Sequence, residues 1–366
     1  MAPAVVLAAA VIGIAASADS SEPSASASPL TGGERQSRRA LEFGIYPGGA
    51  VGTVGPAGAV RPEVAELRLE ALRALRGGTR PFVVHLYDSF TERDDRAPLP
   101  QWLASQIAAY TGDGFKVELV LTYRPKRPGG DVAGFAGFVR ARVRQTGANL
   151  GYLQVTNEAN VTGAPDAADG AYRGARAALV RGVIAARDEA RRRGLHDLRV
   201  GFNWAYQLGR SERAFFASLW RRGGRRFASA VDWVGLNSYP GTWGPALGAG
   251  DLGSGVRSTT LAAIRLLRED LLPRAHLAAA DLQVTEGGYP TGPGRTEAMQ
   301  EQALRAAVSA VAEMAESHRV TGYRWFDLRD ADSASPSFES RYGLMRDDYR
   351  PKPAFAAYRD LIATLG

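Results

Sequence analysis

The chain has 366 residues, 45% of them hydrophobic, 9% aromatic and 23% charged, and it contains no cysteine. That composition fills an ample core and excludes collagen-like, disordered and disulfide-scaffold chains; without thiols there is no thiolate nucleophile, cysteine-held zinc or iron–sulfur cluster. The formal net charge of +7 would permit a polyanionic partner, but the 42 arginines, against 3 lysines, are spread over helix-like stretches among acidic residues, so nucleic-acid binding is not expected.

Residues 5–16 form an apolar run followed by Ala16-Ser17-Ala18, the small-x-small form that signal peptidase accepts. This predicts a signal peptide over 1–18 and an extracellular bacterial protein, with an uncleaved tether as the alternative; residues 1–4 carry no Lys or Arg, so either the true start lies upstream or only the terminal amine supplies the charge. The run is too short for a transmembrane span of roughly 20 residues, and no other membrane segment is expected. Residues 19–38 are rich in Ser, Pro and Gly and read as a flexible leader. The folded domain is expected over 39–366.

Within it, β-branched and aromatic runs predict strands at 41–46, 82–87, 117–123, 151–156, 198–204, 231–237, 282–286 and 321–327. Helical patterns lie at 62–76, 99–111, 131–145, 169–194, 211–222, 258–272, 296–318 and 352–364. Strict alternation implies parallel strands with right-handed crossovers, and eight units close most economically as a single (β/α)8 barrel, an α/β fold. A doubly wound open sheet is the rival. In a barrel the functional groups gather at the C-terminal strand ends, where aromatics, amides and two glutamates converge: Glu158 after the fourth strand and Glu286 on the seventh.

Two carboxyl groups facing each other across a barrel mouth suit retaining glycoside hydrolysis, in which one protonates the leaving oxygen while the other attacks the anomeric carbon. Thr156-Asn157-Glu158, Glu286, Asn237-Ser238-Tyr239 and Trp325 together resemble the site of clan A (β/α)8 glycoside hydrolases, which include cellulases, mannanases, galactanases and xylosidases. The run from Tyr342 to Ala354 resembles the approach to the last helix in such enzymes. The resemblance implies Glu158 as acid/base, Glu286 as nucleophile, Asn157 as donor to the sugar 2-hydroxyl, Tyr239 as partner of the nucleophile and Trp325 as the platform under the reacting sugar. The chain departs from the pattern in carrying Tyr87-Asp88 where many members have an Arg, and Asn237 where many have a His.

Sugar rings stack their C–H faces on aromatic rings, which makes Trp204, Tyr206, Trp243 and Tyr289 subsite candidates, whereas Trp102, Trp220 and Trp233 are assigned to the core. Asp88, Asp327, Asp330 and Asp332 read as turn acids, and His85 as an inward core group. Gly248 to Gly253 matches G-x-G-x-x-G but lies in a loop far beyond strand six, so no dinucleotide cradle is expected. Asn160-Val-Thr162 forms a glycosylation sequon that should be silent in a bacterium. The sequence thus predicts a monomeric, cofactor-free, metal-free glycosidase acting inside a polysaccharide chain; the alternatives are a non-catalytic carbohydrate-binding barrel or a barrel enzyme of other chemistry. An aldolase would need an inward strand lysine, and none is evident.

Overall fold

The computed structural model describes residues 40–48, 61–78, 81–91, 97–165, 167–207, 211–248 and 250–366. The expected signal and leader lie outside these. The compact unit runs from Arg38 to Gly366. Eight strands follow in chain order: β1 (Glu42–Ile45), β2 (Phe82–Phe90), β3 (Lys116–Tyr123), β4 (Tyr152–Val155), β5 (Arg199–Ala205), β6 (Trp233–Ser238), β7 (Asp281–Gly287) and β8 (Val320–Trp325). All neighbours pair in parallel and β8 returns to β1, giving a closed barrel. The open-sheet rival is excluded.

The helices that follow the strands are α1 (Ala65–Arg76), α2 (Gln101–Gly112), α3 (Val132–Thr146), α4 (Ala175–Arg192), α5 (Glu212–Ala228), α6 (Leu252–Arg265), α7 (Leu272–Arg274), α8 (Glu297–Met314) and, after β8, α9 (Pro353–Leu365). Their apolar stripes pack on the outward faces of the strands, burying Leu72, Leu103, Phe138, Leu179, Leu219, Ile264 and Leu304, as amphipathic helices around a parallel sheet must. Three helices differ from expectation: α4 starts at Ala175 rather than 169, α5 runs on to Ala228 rather than ending at 222, and α6 starts at Leu252 rather than 258, because the Asp251 carboxylate accepts from the Ser254 amide at 3.0 Å and caps a glycine-rich first turn. That cap and turn occupy the end of the G-x-G-x-x-G stretch. Trp102 also departs from its core assignment, being 55% exposed on α2, whereas Trp233 is fully buried.

The barrel interior is layered. At the bottom Val83, Tyr152 and Trp233 pack together. Above them His85, Glu118 and Arg324 form a buried charged layer, with Arg324 Nε 2.5 Å and His85 Nδ1 3.5 Å from the Glu118 carboxylate. Burial alone would raise the Glu118 carboxyl, but Arg324 and His85 outweigh it and hold it below the ordinary carboxylate range. This layer closes the barrel beneath the mouth.

Candidate active site

At the end of β4 the chain turns through left-handed conformations at Thr156 (φ 68°) and Glu158 (φ 51°). Such conformations cost non-glycine residues energy and persist only where neighbours over-determine them. Here they do. The Thr156 amide bonds to Leu121 of β3, the Asn157 amide to the Asp169 carboxylate at 2.8 Å, and the Glu158 amide to Asn203 Oδ1 on β5 at 2.7 Å. Asp169 also accepts from the Tyr123 amide at 2.7 Å. The next residue, Gly170, could carry no side chain, since a Cβ there would lie 2.4 Å from the Val161 carbonyl.

Glu286 reaches the mouth by a different device. In β7 the alternation that turns Gln283 into the barrel would assign Thr285, not Glu286, to the same side. The pairing skips a residue there, with Val284 opposite Leu236 but Glu286 opposite Asn237, and a second irregularity between Val284 and Gly287 towards β8. This bulge re-aims the strand end so that both side chains face the mouth. Thr285 Oγ1 donates to Asn237 Oδ1 at 2.8 Å, and Asn237 Nδ2 in turn donates to Glu158 Oε1 at 2.8 Å.

The two carboxyl groups are treated in opposite ways. Glu286 accepts two phenolic hydrogen bonds, from Tyr87 to Oε1 at 2.7 Å and from Tyr239 to Oε2 at 2.8 Å. Burial and the Glu286 charge push both phenols well above their ordinary value, so they stay protonated as donors. Glu158 accepts from one neutral amide, and burial followed by the charge of Glu286 pushes its carboxyl up to about 8. One group is thus a protonated acid at neutral pH and faces a carboxylate held by both oxygens. Behind them, burial raises Asp169 to about 7 against the pull of its two backbone donors.

Both glutamates line a cleft of about 680 Å³, whose walls include Tyr46, Arg124, Asn157, Asn237, Tyr239 and Phe326. Of the sequence candidates it also includes Tyr206 and Trp243, the latter 38% exposed and stacked on Tyr342 with ring centroids 4.7 Å apart. Three candidates lie elsewhere. Trp325 is 1% exposed and donates its indole N–H to the Tyr342 carbonyl, turned away from the cleft; the aromatic that lines it is Phe326, just past the end of β8, stacked on Tyr46 with centroids 4.8 Å apart and joined to Asp327 by a cis peptide. Trp204 is fully buried on the outer face of β5, bonded to Glu212 and packed on Phe216. Tyr289 is buried beside Trp325, its carbonyl taken by Gln300.

Sequence reasoning passed over Tyr87, noted only as a departure, and Asn203, which donates to Asn157 Oδ1 at 2.8 Å. Among the acids read as turn groups, Asp88 lies in β2 with Arg142 2.6 Å away, and Asp330 pairs with Lys352 at 2.7 Å. Asp332 does cap a turn at the Ala334 amide. The sequon Asn160 is locked across β5 by both hydrogen bonds of Ala205. Among the described residues no cluster of three or more His, Asp or Glu is set to hold a metal, and no helix is long and apolar enough to cross a membrane.

No family model and no curated protein matches the sequence. Solved structures do. A family 39 glycoside hydrolase from Bacteroides cellulosilyticus superposes with a TM-score of 0.59 at 16% identity, over 90% of this chain and 64% of that one. An endo-1,4-β-xylanase from Penicillium canescens gives 0.57 at 19% identity, over 89% and 95%. A fungal β-1,4-galactanase gives 0.57 at 10% identity, over 87% and 99%. The chain therefore spans a little under two thirds of the Bacteroides enzyme and nearly all of the other two. At these identities the likeness is one of architecture: this chain has the closed (β/α)8-barrel fold that these glycoside hydrolases share.

Proposed function

We propose that the protein is a secreted, retaining β-glycoside hydrolase that cuts within a polysaccharide. The observation that carries this reading is the contrast between the two mouth glutamates, a carboxylate gripped by two phenols and a carboxyl kept protonated to about 8. Double displacement needs that division of roles. Glu158 gives its proton to the glycosidic oxygen as the bond to the anomeric carbon breaks, and Glu286 attacks that carbon from the opposite face to form a glycosyl ester. Glu158, now a carboxylate, takes a proton from water as the water displaces Glu286. The sugar emerges with its β configuration restored and both carboxyl groups return to their starting states.

The open cleft supports endo action. Phe326 and Trp243 supply aromatic surface for sugar faces, while Asn157 and Asn237 supply polar contacts. Azide rescue tests the assignment. Glu286→Ala should lose turnover and recover it in azide as the α-glycosyl azide, whereas Glu158→Ala should keep cleaving an activated aryl glycoside and yield the β-azide. If both variants keep full activity on polysaccharide, the glutamates are not the catalytic pair.

A further inference from the structure

Arg124 follows β3 and is the only cationic residue among the described residues that line the cleft. Its position is set by the strand. Thr122 and Arg124 are two residues apart and both line the mouth, Ser89 of β2 pairs with Thr122, and the Arg124 amide continues the ladder to the Phe90 carbonyl at 3.1 Å. The guanidinium has no carboxylate partner in any ion pair among the described residues. One of its terminal nitrogens reaches the Ala167 carbonyl at a long 3.5 Å, and its Nε is buried with no acceptor. Asp169, the acid that feels its charge, already binds two backbone amides.

Next to this group, the Thr122 and Ser89 hydroxyls share a hydrogen bond at 2.8 Å, which uses one of their two protons and leaves the other to donate elsewhere. The cleft corner between β2 and β3 therefore offers a planar charged fork, engaged only by the long contact to Ala167, and one spare hydroxyl proton. A neutral sugar presents single hydroxyls there. A carboxylate presents two coplanar oxygens that match the fork's two terminal nitrogens and brings the counter-charge that no ion pair among the described residues supplies. Glu286 and Glu339 line the same cleft and repel such a group, which leaves Arg124 as the charge that attracts it.

We propose that the cleft is built for an acidic glycan and that Arg124, with Ser89, binds the carboxylate of a uronosyl residue. This rests on the glycosidase reading and names the substrate class of the same site. Arg124 acts as a specificity residue and takes no part in bond breaking.

The test uses hexasaccharides of β-1,4-glucuronan and β-1,4-mannuronan, each beside its carboxyl-reduced form, which keeps every linkage and replaces each carboxylate by a hydroxymethyl group. Binding is measured calorimetrically on Glu286→Gln protein, and cleavage on the wild type. One acidic chain should bind at least about tenfold tighter than its reduced partner, with affinity falling as salt rises. Arg124→Gln should lower the acidic-to-reduced ratio by about 10- to 100-fold, and Arg124→Lys, which keeps the charge but not the fork, by less. The proposal is overturned if neither acidic chain outbinds its reduced form, or if Arg124→Gln and Arg124→Lys both leave the ratio unchanged. Arg124-dependent binding of an acidic chain, with no cleavage of any chain by the wild type, would support the anion site and refute the hydrolase reading. Cleavage confined to the reduced chains would do the reverse.

Discussion

Replacing Tyr87 by Phe removes one oxygen and leaves the ring where it packs, 5.5 Å from Tyr46 and 4.8 Å from His85 between centroids. What is lost is the 2.7 Å hydrogen bond to Glu286 Oε1; Tyr239 still holds Oε2 at 2.8 Å. A hydrogen bond to a charged acceptor is worth about 1.5–3 kcal/mol, or roughly a 10- to 150-fold change in an equilibrium or rate. Because Glu286 must attack along one line, the loss should appear in the glycosylation step. With an activated aryl β-glycoside, kcat/KM should fall by about that factor while the melting temperature stays within a few degrees. Tyr239→Phe should behave in the same way. The double variant should lose more than the product of the two, since each single variant leaves the carboxylate one donor and the double leaves neither. Unchanged kcat/KM in a correctly folded Tyr87→Phe protein would show that the phenol does not hold the reacting group.

The pH profile follows from Glu158: its carboxyl, pushed up to about 8, must stay protonated, so kcat/KM should hold at neutral pH, fall above about 8, and lose that limb in Glu158→Gln with an activated leaving group. The same raised pKa means that ionisation opposes the fold, so Glu158→Gln should match the wild-type melting temperature in acid and gain on it as pH climbs from about 5 to above 8. Phe326→Ala should lower kcat/KM by about tenfold with little change in melting, whereas Trp325→Ala empties a buried site and should destabilise the fold by about 3–5 kcal/mol. The reverse pattern would restore Trp325 to the cleft. Asp169→Ala strips the acceptor from two backbone amides and should cost about 2–5 kcal/mol together with most of the activity, and Asp169→Asn should recover part of both; a melting curve unchanged in the Ala variant would contradict the clamp.

The barrel was legible because parallel strands covered by helices are apolar on their outer faces and end in recognisable loops. The strand alternation carried more than was taken from it. Arg324 points into the barrel beside Glu118, so Trp325 must point out and Phe326 in again; Asn203 faces the mouth, so Trp204 cannot. Size drew attention to the tryptophans, and parity would have chosen their neighbours. The same parity aligns His85, Tyr87 and Ser89, which marks Tyr87 as a mouth residue without any family pattern.

Other features left no local signal. Alternation from Gln283 would have turned Glu286 outward, and only the β7 bulge brings it to the cleft. The clamp through Asp169, Asn157 and Asn203 joins positions 12 to 46 residues apart, and no periodicity encodes such a contact. The start of α6 did leave a local signal, the Asp251 cap, but Leu252-Gly-Ser-Gly reads as loop on composition.

Covalent trapping tests the central claim most directly. An activated 2-deoxy-2-fluoro β-glycoside slows both displacements, but its leaving group keeps the first one fast enough for the glycosyl ester to accumulate and be located by peptide mass spectrometry. The account predicts one sugar per chain, carried on the peptide containing Glu286, with label persisting in Glu158→Gln and absent from Glu286→Gln. A label on Glu158, or hydrolysis of the parent glycoside that first releases the α-anomer without labelling Glu286, would contradict it.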